Sequence, residues 1–426
     1  MIYIRGVIGI LGLLFLAWLI STDRRKFPLK IVISGILLQW VLALAVLKTD
    51  AGRAVFDAIG RIVTTVLAGA DAGARFVFTP FTGGGEAPWF ANVAVVIATT
   101  IILVATLSSI GYHYGVLQRV VAMMAWVMRR TMAVSGAESL AAAANVFLGQ
   151  TEAPLLVKPY ISRMTKSELM ALMTGGFATV AAGVMAVYVT MLGTTEEAGV
   201  AVARHLLTAS LMSAPAAFIM AKIMVPEREA PETSKSVSVS MERETRNLVD
   251  AMTSGASQGM RLAINVIAML IAFIAMIKLV DIGLGYVGRW GPVASVLPSI
   301  GLERLDLDGV LGLAFAPVAW LQGVDAAECR VTGGLLGKAM ATNELIAYQS
   351  LSDTIKAGGL SPRAATMAIY SLCGFANISS IGIQIGGIGE LAPDRRGDLV
   401  RLGPRAMLGG AMACWMTGTI AGMLIG

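Results

Sequence analysis

Two glutamates, Glu152 and Glu344, sit in stretches that otherwise read as membrane interior. Glu152 ends the run Asn145-Val146-Phe147-Leu148-Gly149-Gln150-Thr151-Glu152, and Glu344 follows Thr342-Asn343. An ionisable group at membrane depth costs about 3 kcal/mol on insertion scales, so it faces a protein-lined cavity rather than lipid. A third polar cluster, Asn377-Ile378-Ser379-Ser380, follows Phe375 on another apolar segment. Three such clusters on separate segments predict one polar site assembled inside a membrane protein. A small polar solute is what such a site suits.

Only 14% of the 426 residues are charged and the mean hydropathy is +0.74. A soluble domain carries about 25% charged residues, so the chain is read as polytopic and all-α. Apolar runs of about 20 residues mark the spans. Eight are expected, at 2–20, 31–47, 90–110, 169–192, 206–225, 263–287, 364–388 and 407–425. The first run is too long for a signal peptide and is followed by Arg24-Arg25-Lys26, which makes it a transmembrane helix. Residues 51–77 and 116–132 carry charges among apolar residues and are expected to lie along the membrane surface.

Segments 133–160 and 309–351 have a different pattern. Each is an apolar stretch, a polar interruption with Gly or Pro, and a second apolar stretch, the signature of a re-entrant helical hairpin. Loop charges agree with this. Arg24, Lys30, Arg119, Arg129, Lys158, Arg163, Lys222, Arg228, Lys235, Arg243, Arg395 and Arg401 fall on one face only if both segments enter and leave on the same side. Both termini are then periplasmic. Hairpin, helix, helix occurs at 133–225 and again at 309–425 with one odd span between, which predicts an inverted repeat with its site at the midplane.

Glu344 with Asn377 and Ser380 offers a carboxylate beside an amide and a hydroxyl, a set that suits vicinal hydroxyls. Gln150, Thr151 and Glu152 supply donors and acceptors that match the edge of a heterocyclic base. The structural alternative is that Glu152 and Glu344 cap the N-termini of broken helices. The rarity of intramembrane carboxylates favours the functional reading. In Thr174-Gly175-Gly176-Phe177-Ala178-Thr179-Val180-Ala181-Ala182-Gly183-Val184, the small residues permit either close packing or an unwound turn. An unwound turn exposes carbonyls that ligate Na⁺, and Asn145 and the Thr179 hydroxyl would complete such a shell. There is no HExxH, no Cys/His cluster and no P-loop, so no enzyme chemistry is expected. Cys329, Cys373 and Cys414 read as packed thiols.

The motifs GQTEAP at 149–154, MTGGFATVAAGV at 173–184, FAPVAWLQGV at 315–324, NE at 343–344 and CGFANISSIGIQIG at 373–386 resemble those of the bacterial concentrative nucleoside transporter family. That resemblance implies a sodium-driven nucleoside symporter of the bacterial inner membrane, working as a homotrimer by an elevator movement. Uridine and adenosine are the expected kind of substrate, membrane lipid the other partner, and nucleic acid none. It implies a scaffold in residues 1–132 and 226–308, and a transport domain in 133–225 and 309–426. It places Gln150, Thr151, Glu152 and Val184 at the nucleobase, Glu344, Asn377 and Ser380 at the ribose, and Phe375 along the pocket. Asn145, Leu148 (carbonyl), Thr179 and Val180 (carbonyl) match the family's sodium site, with threonine at 179 where some relatives carry serine. A proton-coupled nucleoside carrier, or a carrier of another small polar solute such as a nucleobase, is the alternative. The glycine at 149, beside Gln150, either leaves room for both one-ring and two-ring bases or permits a tight turn.

Overall fold

The computed structural model describes residues 2–78, 93–234 and 245–425. The residues at 90–92 that open the expected third span, and Lys235 and Arg243, lie outside them. Every regular element described is helical. The N-terminal part comprises α1 (Ile2–Leu19), α2 (Leu29–Lys48), α3 (Asp50–Phe78), α4 (Val93–His113) and α5 (Val116–Met132). A first set of short and long helices follows: α6 (Gly136–Asn145), a 3₁₀ turn at Ala153–Val157, α7 (Lys158–Ile161), α8 (Lys166–Ala178), α9 (Ala182–Leu192) and α10 (Glu196–Met224). Then come α11 (Leu248–Gly288), α12 (Gly291–Ala294) and α13 (Leu307–Leu321). The second set is α14 (Cys329–Ala341), α15 (Glu344–Lys356), α16 (Pro362–Ser371), α17 (Ile378–Leu391) and α18 (Arg396–Ile425).

Seven stretches among the described residues are long and apolar enough to cross a membrane: Ile2–Leu19, Leu29–Lys48, Ala94–His113, Lys166–Leu192, Glu196–Met224, Leu248–Gly288 and Pro393–Ile425. The expected span at 364–388 is not continuous. It is split into the short helices α16 and α17 and is not among the seven. The segment expected as one hairpin at 309–351 is also divided differently. Its first part is the separate helix α13, which ends where Gly323 adopts a left-handed φ of 89°. The polar interruption joins α14 to α15, and the pair runs on to Lys356.

Burial sorts the long helices. In Lys166–Leu192, Glu196–Met224 and Pro393–Ile425, 83%, 89% and 89% of the most apolar window is buried within the chain; in α1, α2, α4 and α11 the figures are 33%, 28%, 17% and 6%. The latter four therefore present most of their apolar surface outward, as helices facing lipid or further subunits do. Two of them join backbone to backbone. A Cβ on Gly259 of α11 would lie 2.7 Å from the Ile102 Cα, and one on Gly255 would lie 2.7 Å from the Thr106 Cα. This is the small-xxx-small contact that lets membrane helices approach without side chains between them.

The two sets of helices repeat one order: a pair of short helices meeting at a break, a broken helix, then a long helix with an internal proline, Pro215 in α10 and Pro404 in α18. The bases of the short pairs are fastened by the same chemistry with the roles exchanged. Ser135 N-caps α6 and donates to the Glu168 carboxylate of α8 at 2.6 Å. Ser361 N-caps α16 and donates to the carboxylate of Glu328, which precedes α14, at 3.1 Å. Beside the first clasp, Lys222 of α10 is only 3% exposed and pairs with Glu138 at 2.7 Å and Glu227 at 3.4 Å. Removing one member of such a buried pair leaves the other charge stranded.

Gly259→Leu should force α11 away from α4. Overpacking of this kind costs about 1–3 kcal/mol, so the purified variant should melt several degrees lower in detergent, read by thermal unfolding.

Candidate functional site

The site is where the backbone breaks meet. A broken helix inside apolar surroundings must satisfy its freed amides and carbonyls without water. Between α8 and α9, Thr179 turns extended (φ −128°, ψ 163°) and its hydroxyl donates to the Gly175 carbonyl at 2.8 Å. Between α16 and α17, Asn377 N-caps α17, its Oδ1 accepting from the Ser380 amide at 2.8 Å. The two breaks touch. A Cβ on Gly374 would lie 2.6 Å from the Phe177 carbonyl oxygen and 2.6 Å from the Cys414 Sγ, so only glycine allows the approach. The break after α6 is stitched to the same level, because the Ala182 amide donates to the Phe147 carbonyl at 3.2 Å.

The fourth break, between α14 and α15, brings in Glu344. Asn343 is the N-cap of α15, accepting from the Ile346 amide at 2.9 Å, so the cap belongs to Asn343 and leaves the Glu344 carboxylate for other partners. Glu344 is 6% exposed. Its Oε2 accepts from Asn377 Nδ2 at 2.9 Å and its Oε1 from the Tyr188 hydroxyl at 3.2 Å. No cation pairs with it among the described residues. Three residues beyond Asn377, the Ser380 hydroxyl accepts from Gln150 Nε2 at 3.1 Å. Gln384 Nε2 in turn donates to Gln150 Oε1 at 3.0 Å and to the Met173 carbonyl at 3.2 Å.

One helix-capping turn thus joins Gln150, expected at a base edge, to Glu344, expected at vicinal hydroxyls. Gln150, Glu344, Asn377 and Ser380 are all buried and hydrogen-bonded in one cluster. Val184 is buried on α9 and Phe375 is half-buried at the break. Thr151 and Glu152 are more exposed, and no hydrogen bond links them to the cluster among the described residues. Glu152 instead accepts from the Gly149 amide at 3.3 Å, a local turn contact. Gly149 has no left-handed φ, and a Cβ there would meet the Ala181 Cβ at an ordinary 3.6 Å, so the turn does not require glycine. The three cysteines are buried and free.

Two members of the cluster were not singled out by the sequence. Tyr188 lies one turn beyond Val184, and Gln384 one turn beyond Ser380. Spacing of four puts each pair on one helix face, and that is the signal that finds them.

The residues expected to hold sodium also gather. Asn145 is 1% exposed, and both its amide atoms are buried without a hydrogen-bond partner among the described residues. A Cβ on Gly175 would lie 3.3 Å from Asn145 Nδ2, which puts this amide against the turn that holds Thr179. Leu148 and Val180 lie in the two neighbouring interruptions, outside the helices. An unpartnered amide oxygen, a hydroxyl and main-chain carbonyls are the hard, neutral donors that an alkali cation takes, so the residues present fit the ion.

Fold and site together define a polytopic membrane protein with a buried polar site for a small solute. Residues 205–422 match the family described as Na+ dependent nucleoside transporter C-terminus, residues 8–81 its N-terminus, and residues 94–195 the family described as Nucleoside recognition. The chain is 37% identical over 427 residues to an uncharacterized transporter of Haemophilus influenzae, covering 99% of this chain and 98% of that one. It is 38% identical over 430 residues to solute carrier family 28 member 3 of Mus musculus, covering 98% of this chain and 58% of the mouse protein. The solved structure of CNTnw in an inward-facing substrate-bound state superposes with a TM-score of 0.87 at 35% identity, covering 100% of this chain and 98% of that one. The chain belongs to the concentrative, Na⁺-dependent nucleoside transporter family. Its activity is nucleoside transport and it is not an enzyme.

Gln384→Leu removes the donor to Gln150 and to the Met173 carbonyl. A buried acceptor left unpaired costs about 1–3 kcal/mol, so the variant should melt lower and gain less thermal stabilisation from uridine than the parent protein does.

Proposed function

We propose that this protein imports nucleosides across a bacterial inner membrane, driven by the sodium gradient. The cluster in which one capping turn links Gln150 to Glu344 carries this reading. A nucleoside is a base joined to a sugar with vicinal hydroxyls, and the cluster offers an amide for the first and a carboxylate for the second. Gln150, with Thr151, Glu152 and Val184, would read the base; Glu344, with Asn377 and Ser380, would hold the ribose; Phe375 would line the pocket. Uridine and adenosine are both proposed substrates, because a side-chain amide offers donor and acceptor to either base.

Asn145, Thr179 and the Leu148 and Val180 carbonyls would hold the sodium ion. The ion supplies positive charge that lets uptake draw on the sodium gradient. The two short-helix pairs would be re-entrant hairpins. They would move with α8–α10 and α16–α18 as one elevator block against a scaffold of α1, α2, α4 and α11. The burial contrast between the two groups of helices supports that division. In the proposed homotrimer the outward apolar surface of the scaffold helices would meet other subunits and lipid. Both termini would be periplasmic.

Uptake of labelled uridine into proteoliposomes tests the coupling. It should follow an imposed Na⁺ gradient and ignore a pH gradient; the reverse result refutes sodium coupling. Thr179→Val should raise the Na⁺ concentration for half-maximal uptake several-fold. Glu344→Gln removes charge-assisted hydrogen bonds worth about 1.5–3 kcal/mol each and should abolish most uptake while leaving insertion intact. Uridine uptake by Glu344→Gln at the parent rate would remove the ribose assignment.

A further inference from the structure

We infer that Tyr188 is a positioning residue for ribose recognition, holding the Glu344 carboxylate in the orientation that accepts sugar hydroxyls. The inference rests on the proposed role of Glu344 and concerns a side chain outside the expected binding set. Three observations carry it.

Tyr188 is wholly buried, and its hydroxyl donates to Glu344 Oε1 at 3.2 Å while Asn377 Nδ2 donates to Oε2 at 2.9 Å. Two donors from different helices, one on each oxygen, fix the plane of the carboxylate. Each carboxylate oxygen has two lone-pair directions, so one remains on each for an incoming hydroxyl. Ribose offers two adjacent hydroxyls, which match two acceptors held side by side.

The tyrosine ring is itself immobilised. It stacks on Tyr348 with centroids 4.0 Å apart and planes 20° from parallel. Tyr348 lies one helical turn beyond Glu344 on α15, and its own hydroxyl donates to the Ile369 carbonyl of α16 at 2.7 Å. Thus α9, α15 and α16 are locked together through one aromatic pair, whose Tyr188 hydroxyl points its hydrogen bond at the site.

Packing alone does not explain that hydroxyl. A phenylalanine would fill the same volume and keep the stack. A buried phenol has to find an acceptor, and here the acceptor is the carboxylate proposed to hold the ribose. Glu344 sits at the N-terminus of α15 and is held by neutral donors, so each donor matters to its geometry.

The test is Tyr188→Phe, with affinities for uridine and 2′,3′-dideoxyuridine measured by competition on the purified protein. Loss of one donor to a buried carboxylate should weaken uridine roughly ten-fold, leave dideoxyuridine nearly unchanged, and so collapse the ratio between them. A purely structural role would weaken both ligands alike and leave the ratio intact, which overturns the inference. Unchanged uridine binding also overturns it, as does a result in which Tyr188→Phe binds normally and Tyr188→Leu does not, because the ring alone would then matter. Glu344→Gln, run in parallel, separates the two readings. If it keeps the preference for uridine over dideoxyuridine, the role of Glu344 itself fails. If it loses that preference while Tyr188→Phe keeps it, only the role of Tyr188 fails.

Discussion

Side-chain satisfaction of interrupted backbone is the constraint from which this structure follows. Lipid offers no hydrogen bonds, so a helix can stop at membrane depth only where protein groups receive its free ends. Here the breaks receive one another. Thr179 takes the Gly175 carbonyl, Asn377 and Asn343 cap the helices that restart, and Ser210 donates to the Val146 carbonyl at 3.1 Å. The Phe147 carbonyl is met by the amide of Ala182. Four interruptions that would each be costly alone are affordable together, and the polar groups needed to seal them are the groups available to a solute.

Much of this was legible in the sequence because polar residues in apolar runs are rare. Glu344, Asn377, Ser380 and Gln150 stood out against their surroundings, and the structure gathers all four. Asn145 and Thr179 were legible for the same reason. The ends of α14 and α15 were not. Residues 309–321 are as apolar as a hairpin arm, and only the left-handed Gly323 separates them from α14. Backbone conformation of that kind has no hydropathy signal. Tyr188 and Gln384 are not legible, because a tyrosine or glutamine in an apolar helix reads as a packed side chain until its partner across the fold is known. The structural alternative, in which Glu344 caps the helix, is off by one position, since Asn343 supplies the cap and is the better acceptor for an N-terminal amide.

The placement of charge follows the same logic. Cations are paired away from the central carboxylate: Lys222 against Glu138 and Glu227 at the base of the first short pair, and Lys338, one turn before the break after α14, against Asp308 at 2.9 Å and Ser350 at 2.9 Å. Among the described residues, the carboxylate of the central cluster meets only neutral donors. A buried arginine or lysine there would form a closed ion pair, and a neutral solute would have to break it on entry. Neutral donors hold the carboxylate in place yet leave lone pairs open. This arrangement suits a solute that brings hydroxyl donors and no charge of its own.

The proposed cation site and the proposed base reader share one short piece of chain. Asn145 and Gln150 are five residues apart on either side of the break after α6. Phe147, between them, is tied by its carbonyl to the Ala182 amide, just past Thr179 and Val180. An ion held by Asn145 and Thr179 would therefore brace both sides of the junction from which Gln150 projects. Asn145 is buried with no hydrogen-bond partner among the described residues, so an ion there would supply the partner that its amide oxygen lacks. Solute and ion would then favour the same ordered arrangement, each lowering the cost of binding the other. Coupling of this kind needs no direct contact between them, only a shared segment that both must order.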